Sequence, residues 1–184
     1  MIRYNNQGGS ILSYVTTGGH IEVYFFFKGT AKDIIKNYQN FIGLPRLQPF
    51  WALGWHSSSY GYNTSGKIAE NIMGYSNSDI PLEGVWLDIP YMDGFKDFTV
   101  DQKNFGNMKE ITDNLIHKYN RRLIPIIDLG IIDGTEYAIE AQTKNALIWN
   151  TVLNETLKAL VWANRTVFLD WFNDNSTSIW KKGI

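Results

Sequence analysis

Cysteine is absent from the chain. That excludes a disulfide framework, a thiol nucleophile and a thiolate metal site. Histidine is scarce: His20, His56 and His117 lie far apart and form no H-x-x-x-H spacing, so no metal is expected. Neither sign of charge is in excess. A net charge of −1 and a pI near 6.3 leave no electrostatic footprint for nucleic acid, and Arg121–Arg122 and Lys181–Lys182 read as solvated surface. No apolar run reaches about 18 residues, so no transmembrane segment is expected. The opening M-I-R-Y-N-N-Q-G-G-S does not read as a signal peptide. G-x-S-x-G, G-x-x-x-x-G-K-[ST] and G-x-G-x-x-G are all missing, which removes the serine-hydrolase, P-loop and dinucleotide readings. No cofactor is expected.

What remains is a chain of 184 residues, 44% hydrophobic and 19% charged, with the balance of a globular protein. Seven Trp and ten Tyr stand out. Aromatic planes stack on sugar rings, and they also fill cores. Four N-x-S/T sequons, at Asn63, Asn154, Asn164 and Asn175, are compatible with a secretory compartment.

Ile11–Val15 and Ile21–Phe27 are rich in β-branched and aromatic residues around Thr16-Thr17-Gly18-Gly19, the pattern of a hairpin and of a remnant of a β-sheet domain. Ile34, Ile35, Tyr38 and Phe41 then follow helical period. Thr30 with Asp33 forms a capping box, and Gly43 stops the helix. From Pro45 onward the pattern is strand, polar loop, helix, strand. Trp51–His56, Gly84–Ile89 and Arg122–Asp128 read as strands. Ile68, Ile72 and Tyr75 line one intervening helix; Phe105, Met108, Ile111, Leu115 and Tyr119 line the other. This is the period of a parallel sheet and a (β/α) barrel, whose chemistry sits at the C-terminal ends of the strands. A complete barrel takes roughly 250 residues, so this chain is short for one. Residues 129–172 read as a long connection, and Asn173 to Asn175 as the cap of a last helix.

Asp88 closes the apolar run Val85-Trp86-Leu87. There it can bond sugar hydroxyls, act as a nucleophile, protonate a leaving group, or simply cap a turn. Asp128 closes the next strand with the same ambiguity. Asp93, before Gly94, reads as a turn residue, and Asp97 and Asp101 lie in the same loop. Asp170 stands among apolar residues and must be paired or exposed if ionised. Tyr60, Tyr62 and Trp162 are either stacking platforms or lids on the core.

Four blocks in order resemble glycoside hydrolase family 31, the α-glucosidase family. They are Gly18-Gly19-His20-Ile21-Glu22-Val23-Tyr24-Phe25, Leu44 to Gly54 (L-P-R-L-Q-P-F-W-A-L-G), Trp86 to Asp93 (W-L-D-I-P-Y-M-D) with Asp97-Phe98-Thr99, and Val161-Trp162 through Asp170-Trp171-Phe172. Pro90, Leu129 and Leu169 depart from the family pattern. The resemblance implies the N-terminal part of a (β/α)8 TIM barrel over residues 44–184. Residues 1–43 would be the end of a β-sandwich domain and a connecting helix. The implied chemistry is retaining hydrolysis of α-glucosides, with an α-linked oligosaccharide or glycan as partner and a secretory-pathway location. Tyr60, Asp88, Ile89 and Trp162 fall on positions that line the sugar subsite, and Asp128 joins them as the next strand-terminal carboxylate. The blocks carrying the nucleophile and the acid/base would follow Trp180, so no catalytic carboxylate is expected within these residues. The alternative is a carbohydrate-binding protein that keeps the subsite without the chemistry.

Overall fold

The computed structural model describes residues 2–5 and 9–184. Two units emerge, residues 1–47 and 48–184. In the first, strands β1 (Ile2–Asn5) and β2 (Gly9–Leu12) form an antiparallel hairpin. The hairpin anticipated between Ile11–Val15 and Ile21–Phe27 does not form: residues 13–30 carry no strand. Their aromatic residues pack on a helix instead. Tyr24 lies 4.4 Å from Phe41, and Phe26 lies 5.7 Å from Tyr38 in an edge contact. That helix, α1 (Ala31–Ile42), begins with the expected capping box, in which Thr30 and Asp33 satisfy each other's main-chain N–H groups.

In the second unit, Pro49 opens a 3-10 turn over Phe50–Leu53, so the first barrel strand shrinks to β3 (His56–Ser57). The run Trp51–Gly54 stays out of the sheet because Trp51 O is taken locally, by Gly54 N and the His56 ring, and pairing begins only where Trp55 O accepts from Glu83 N. Helix α2 (Ser65–Asn77) starts at Thr64 and buries Ile68 and Ile72, and β4 (Gly84–Leu87) follows. The anticipated second helix is broken into α3 (Gln102–Phe105), α4 (Met108–Ile111) and further irregular turns to Tyr119. Its apolar face survives the breaks, with Phe105, Ile111 and Ile116 buried. Strand β5 (Arg122–Pro125) completes a parallel sheet of order β3-β4-β5. Ile68, Ile72, Val85, Leu87, Tyr91, Met92, Phe105 and Ile116 form its core on the helical side.

Residues 129–172 are not a loop. They fold as β6 (Gly130–Ile132), α5 (Glu136–Thr143), the short hairpin β7 (Trp149–Asn150) and β8 (Glu155–Thr156), then β9 (Lys158–Val161) and β10 (Asn164–Phe168). Strands β6, β10 and β9 pair antiparallel in that order. Helix α6 (Asp174–Gly183), capped by Asn173 as expected, closes a second core with Ile131, Ala141, Val167, Leu169 and Ile179. Among the described residues no helix is long and apolar enough to cross a membrane.

Candidate functional site

Side chains alternate across a strand, so the inner face of the parallel sheet carries His56, Trp86 and Asp88. Trp86 Nε1 donates to His56 Nδ1 at 3.0 Å. An indole N–H can only donate, so Nδ1 is the acceptor and the proton sits on Nε2, which donates to Trp51 O at 3.1 Å. His56 is thereby a structural post under Trp86. It also explains Gly84: a Cβ there would meet His56 Nδ1 at 2.7 Å.

Strand β4 ends at Leu87 because Pro90 can extend no ladder. Leu87 O accepts the last regular bond, from Ile126 N at 3.1 Å. Beyond it, side chains take over the pairing with the end of β5. Tyr91 Oη donates to Ile126 O at 2.7 Å, and Asp97 Oδ1 accepts from Asp128 N at 2.8 Å. The loop after β4 thus grips the chain after β5 at alternate residues.

Two carboxylates converge at this end of the sheet. Asp88 Oδ1 accepts from Ile89 N at 2.7 Å, which caps the following turn and leaves Oδ2 unbonded among the described residues. Asp128 Oδ2 accepts from Trp162 Nε1 at 3.1 Å, leaving Oδ1 unbonded. Both are half-buried. Burial first, and the nearby Asp88 charge after it, raise the Asp128 carboxyl above the usual carboxylate range; the Trp162 bond opposes this. Beneath them Asp97 is buried, at 6% exposure. Desolvation, with the Asp128 charge adding to it, pushes its pKa up from 3.8 to about 6. Desolvation and the same two acids, Asp97 and Asp128, push Tyr91 up to about 12, so its hydroxyl remains a donor.

Asp88, Asp128 and Trp162 are therefore brought together. Trp162 occupies the two-residue turn between β9 and β10, which carries it back to Asp128. Tyr60 stands on the turn after β3 with 61% of its surface exposed and no hydrogen bond to the others. The Ile89 side chain packs against the first core. Asp170 is half-buried and caps its own turn, accepting from Phe172 N at 3.0 Å. The sequence reading missed Asp97 and Tyr91. In sequence Asp97 resembles the turn acids beside it, and its only distinguishing signal is its place before Phe98-Thr99. No group of three or more His, Asp or Glu side chains among the described residues is arranged to hold a metal ion.

A strand-terminal carboxylate pair with an adjoining indole thus lies at the C-terminal end of a parallel βα sheet, the arrangement of a (β/α) barrel. The profile of the glycosyl hydrolases family 31 TIM-barrel domain matches residues 45–184, and the chain belongs to that family. A probable alpha/beta-glucosidase of Aspergillus fumigatus is 35% identical over 184 residues, covering 95% of this chain and 20% of the relative. Glucoamylase 1 of Schwanniomyces occidentalis is 40% identical over 126 residues, covering 67% of this chain and 13% of the relative. Among solved structures, a glucosidase II alpha subunit superposes with a TM-score of 0.72 at 26% identity, over 82% of this chain and 16% of that one. The chain spans about a fifth of the length of the curated relatives it matches.

Proposed function

We propose that these residues form the sugar-holding wall of an α-glucosidase-type active site, within a polypeptide that hydrolyses α-glucosides with retention. Asp88 and Asp128 accept hydrogen bonds from neighbouring hydroxyls of the terminal sugar through Asp88 Oδ2 and Asp128 Oδ1. Trp162 and Tyr60 line the same subsite, and Ile89 borders it from the first core. The nucleophile and the acid/base belong, in this reading, to the blocks that the family resemblance places after Trp180, and Asp88, with one oxygen held by its turn, is left to hold the sugar. Residues 1–43 would belong to a preceding β-sandwich and its connecting helix, and residues 44–184 to the first part of the catalytic barrel. A secretory-pathway location agrees with the four sequons and with the likeness, at 25% identity and a TM-score of 0.65, to an ER glucosidase II complex.

The observation that carries this reading is the pair of carboxylates at adjoining strand ends, each with one oxygen fixed by the protein and one open. Fixed acceptors aimed at a diol are what discriminates a sugar from water, because unmade bonds to a buried acceptor are expensive. The test is hydrolysis of an aryl α-glucoside by the full-length protein. Asp88→Asn should lower kcat/KM roughly 100-fold or more, because an amide cannot accept with both atoms. Unchanged kcat/KM would sink the assignment. Sugar binding with no hydrolysis by the unmutated full-length protein would favour a carbohydrate-binding protein instead.

A further inference from the structure

The sugar-holding reading gives no task to Asp97, which is buried at this end of the sheet. Three features set it apart from Asp93 and Asp101 in the same loop. It is buried while Asp93 is exposed. Its carboxylate bonds across to another strand's end, at Asp128 N, whereas Asp93 pairs with Lys96 and Asp101 caps α3. Phe95 and Phe98 on either side take left-handed backbone, with φ of 61° and 63°, a conformation that non-glycine residues adopt at a cost. The strain is held from both ends. Met92 is buried in the first core. The Phe98 ring sits 4.6 Å from Tyr137 and 5.2 Å from Trp180 at the second.

Resting on the sugar-holding reading above, we propose that Asp97 is a positioning residue for sugar binding: its carboxylate fixes the Asp128 main chain, so that Asp128 presents its open oxygen to the sugar beside Asp88. Asp128 needs such a brace. It lies past the last residue of β5, where no ladder bond from β4 reaches it, and its own side chain is steered by Trp162 from a hairpin tip. Tyr91 holds Ile126 and Asp97 holds Asp128, so the two together continue the work of β4 for one more repeat.

The groups facing Asp97 are Asp128 and Tyr91, and it takes part in no ion pair among the described residues. Its negative charge is therefore kept against desolvation, which is why its pKa stands near 6. A neutral acceptor of the same shape would satisfy Asp128 N without that cost. What the brace requires is an acceptor at the right place, and charge is secondary.

Glucose binding by the full-length protein, measured calorimetrically at pH 7, tests this with three substitutions. Asp97→Ala removes the acceptor and should weaken glucose binding roughly tenfold. Asp97→Asn restores an acceptor in the same position and should bind within about threefold of the unmutated protein. Asp97→Glu keeps the charge but displaces it by one methylene, and should remain weakened. An unimpaired Asp97→Ala would reduce Asp97 to a structural role and overturn the proposal, as would an Asp97→Asn as weak as Asp97→Ala. If Asp97→Ala does not fold, the other pair decides: Asn tighter than Glu supports the brace, and equal affinities overturn it. Asp88→Asn separates the two levels. If it binds glucose normally, the sugar-holding reading itself fails and takes this proposal with it. If it is weakened while all Asp97 variants bind normally, only the proposal fails.

Discussion

The two cores of residues 48–184 are built by opposite rules. The first lies under three parallel strands joined by helices, on the helical side of the sheet. Val85 and Leu87 of β4 are buried on that side, and Trp86 between them turns to the other face. The second lies under three antiparallel strands and is closed by α5 and α6. Parallel strands all point their C-terminal ends the same way, so Asp88 and Asp128 arrive side by side. An antiparallel hairpin returns on itself, and its useful product is a tip. Here that tip is Trp162, delivered to Asp128. The parallel region thus supplies the carboxylates and the antiparallel one supplies the indole. The loop after β4, tied to one core at Met92 and packed on the other at Phe98, joins the two contributions.

The division can be broken at its cores. Phe105 is 1% exposed beneath the parallel sheet, and Phe105→Ala should cost about 3–5 kcal/mol in denaturant unfolding. Ile179, fully buried in the second core, should cost about 2–5 kcal/mol as Ile179→Ala. If the regions are scaffold and attachment, hydrogen exchange should report the Phe105 loss throughout and the Ile179 loss chiefly in β6, β9 and β10. Equal spreading from both sites would erase the distinction.

A smaller effect comes from the joining loop. Because the folded pKa of Asp97 is raised, the folded state binds more protons than the unfolded one between about pH 4 and pH 6. Its contribution is therefore lost as pH rises through that window, to the extent of about 3 kcal/mol at most. Asp97→Asn should flatten this slope and be the more stable protein at pH 7. An unchanged slope in unfolding measurements at pH 4, 5, 6 and 7 would show that the ionised carboxylate is not penalised.

The smallest change tests the tip. Trp162 is 64% exposed, so Trp162→Phe should alter stability by no more than about 0.5 kcal/mol. It deletes the donor to Asp128 and should weaken glucose binding roughly fivefold. A large loss of stability would mean that Trp162 belongs to the second core.

The two regions were also unequally legible in the sequence. Strong local chemistry, such as the Thr30–Asp33 box, α2 with Ile68 and Ile72, and the Asn173 cap, was readable because each signal is completed within a turn or two of chain. The parallel strands were visible as apolar runs, but their limits were not. Trp51–Leu53 turned out as a 3-10 turn, and β4 and β5 stop short of their acids because local bonds and Pro90 override the apolar pattern. The antiparallel strands were hidden. They are two to five residues long, Leu160 is 80% exposed within β9, and the polar Thr166 is fully buried in β10, so no alternation survives. Asp88, Asp128 and Trp162 could be proposed from motif and strand end. Asp97 was harder, since beyond its place before Phe98-Thr99 it is told from a turn acid by a contact made 31 residues away.

The central claim is that Asp88 and Asp128 hold one sugar between them. A crystal structure of the full-length protein with glucose tests it most directly. The account predicts a single hexose at the C-terminal end of β4, with Asp88 Oδ2 and Asp128 Oδ1 each within about 3.2 Å of its hydroxyls. A glucose seated in the active-site cleft with neither carboxylate in contact would contradict it.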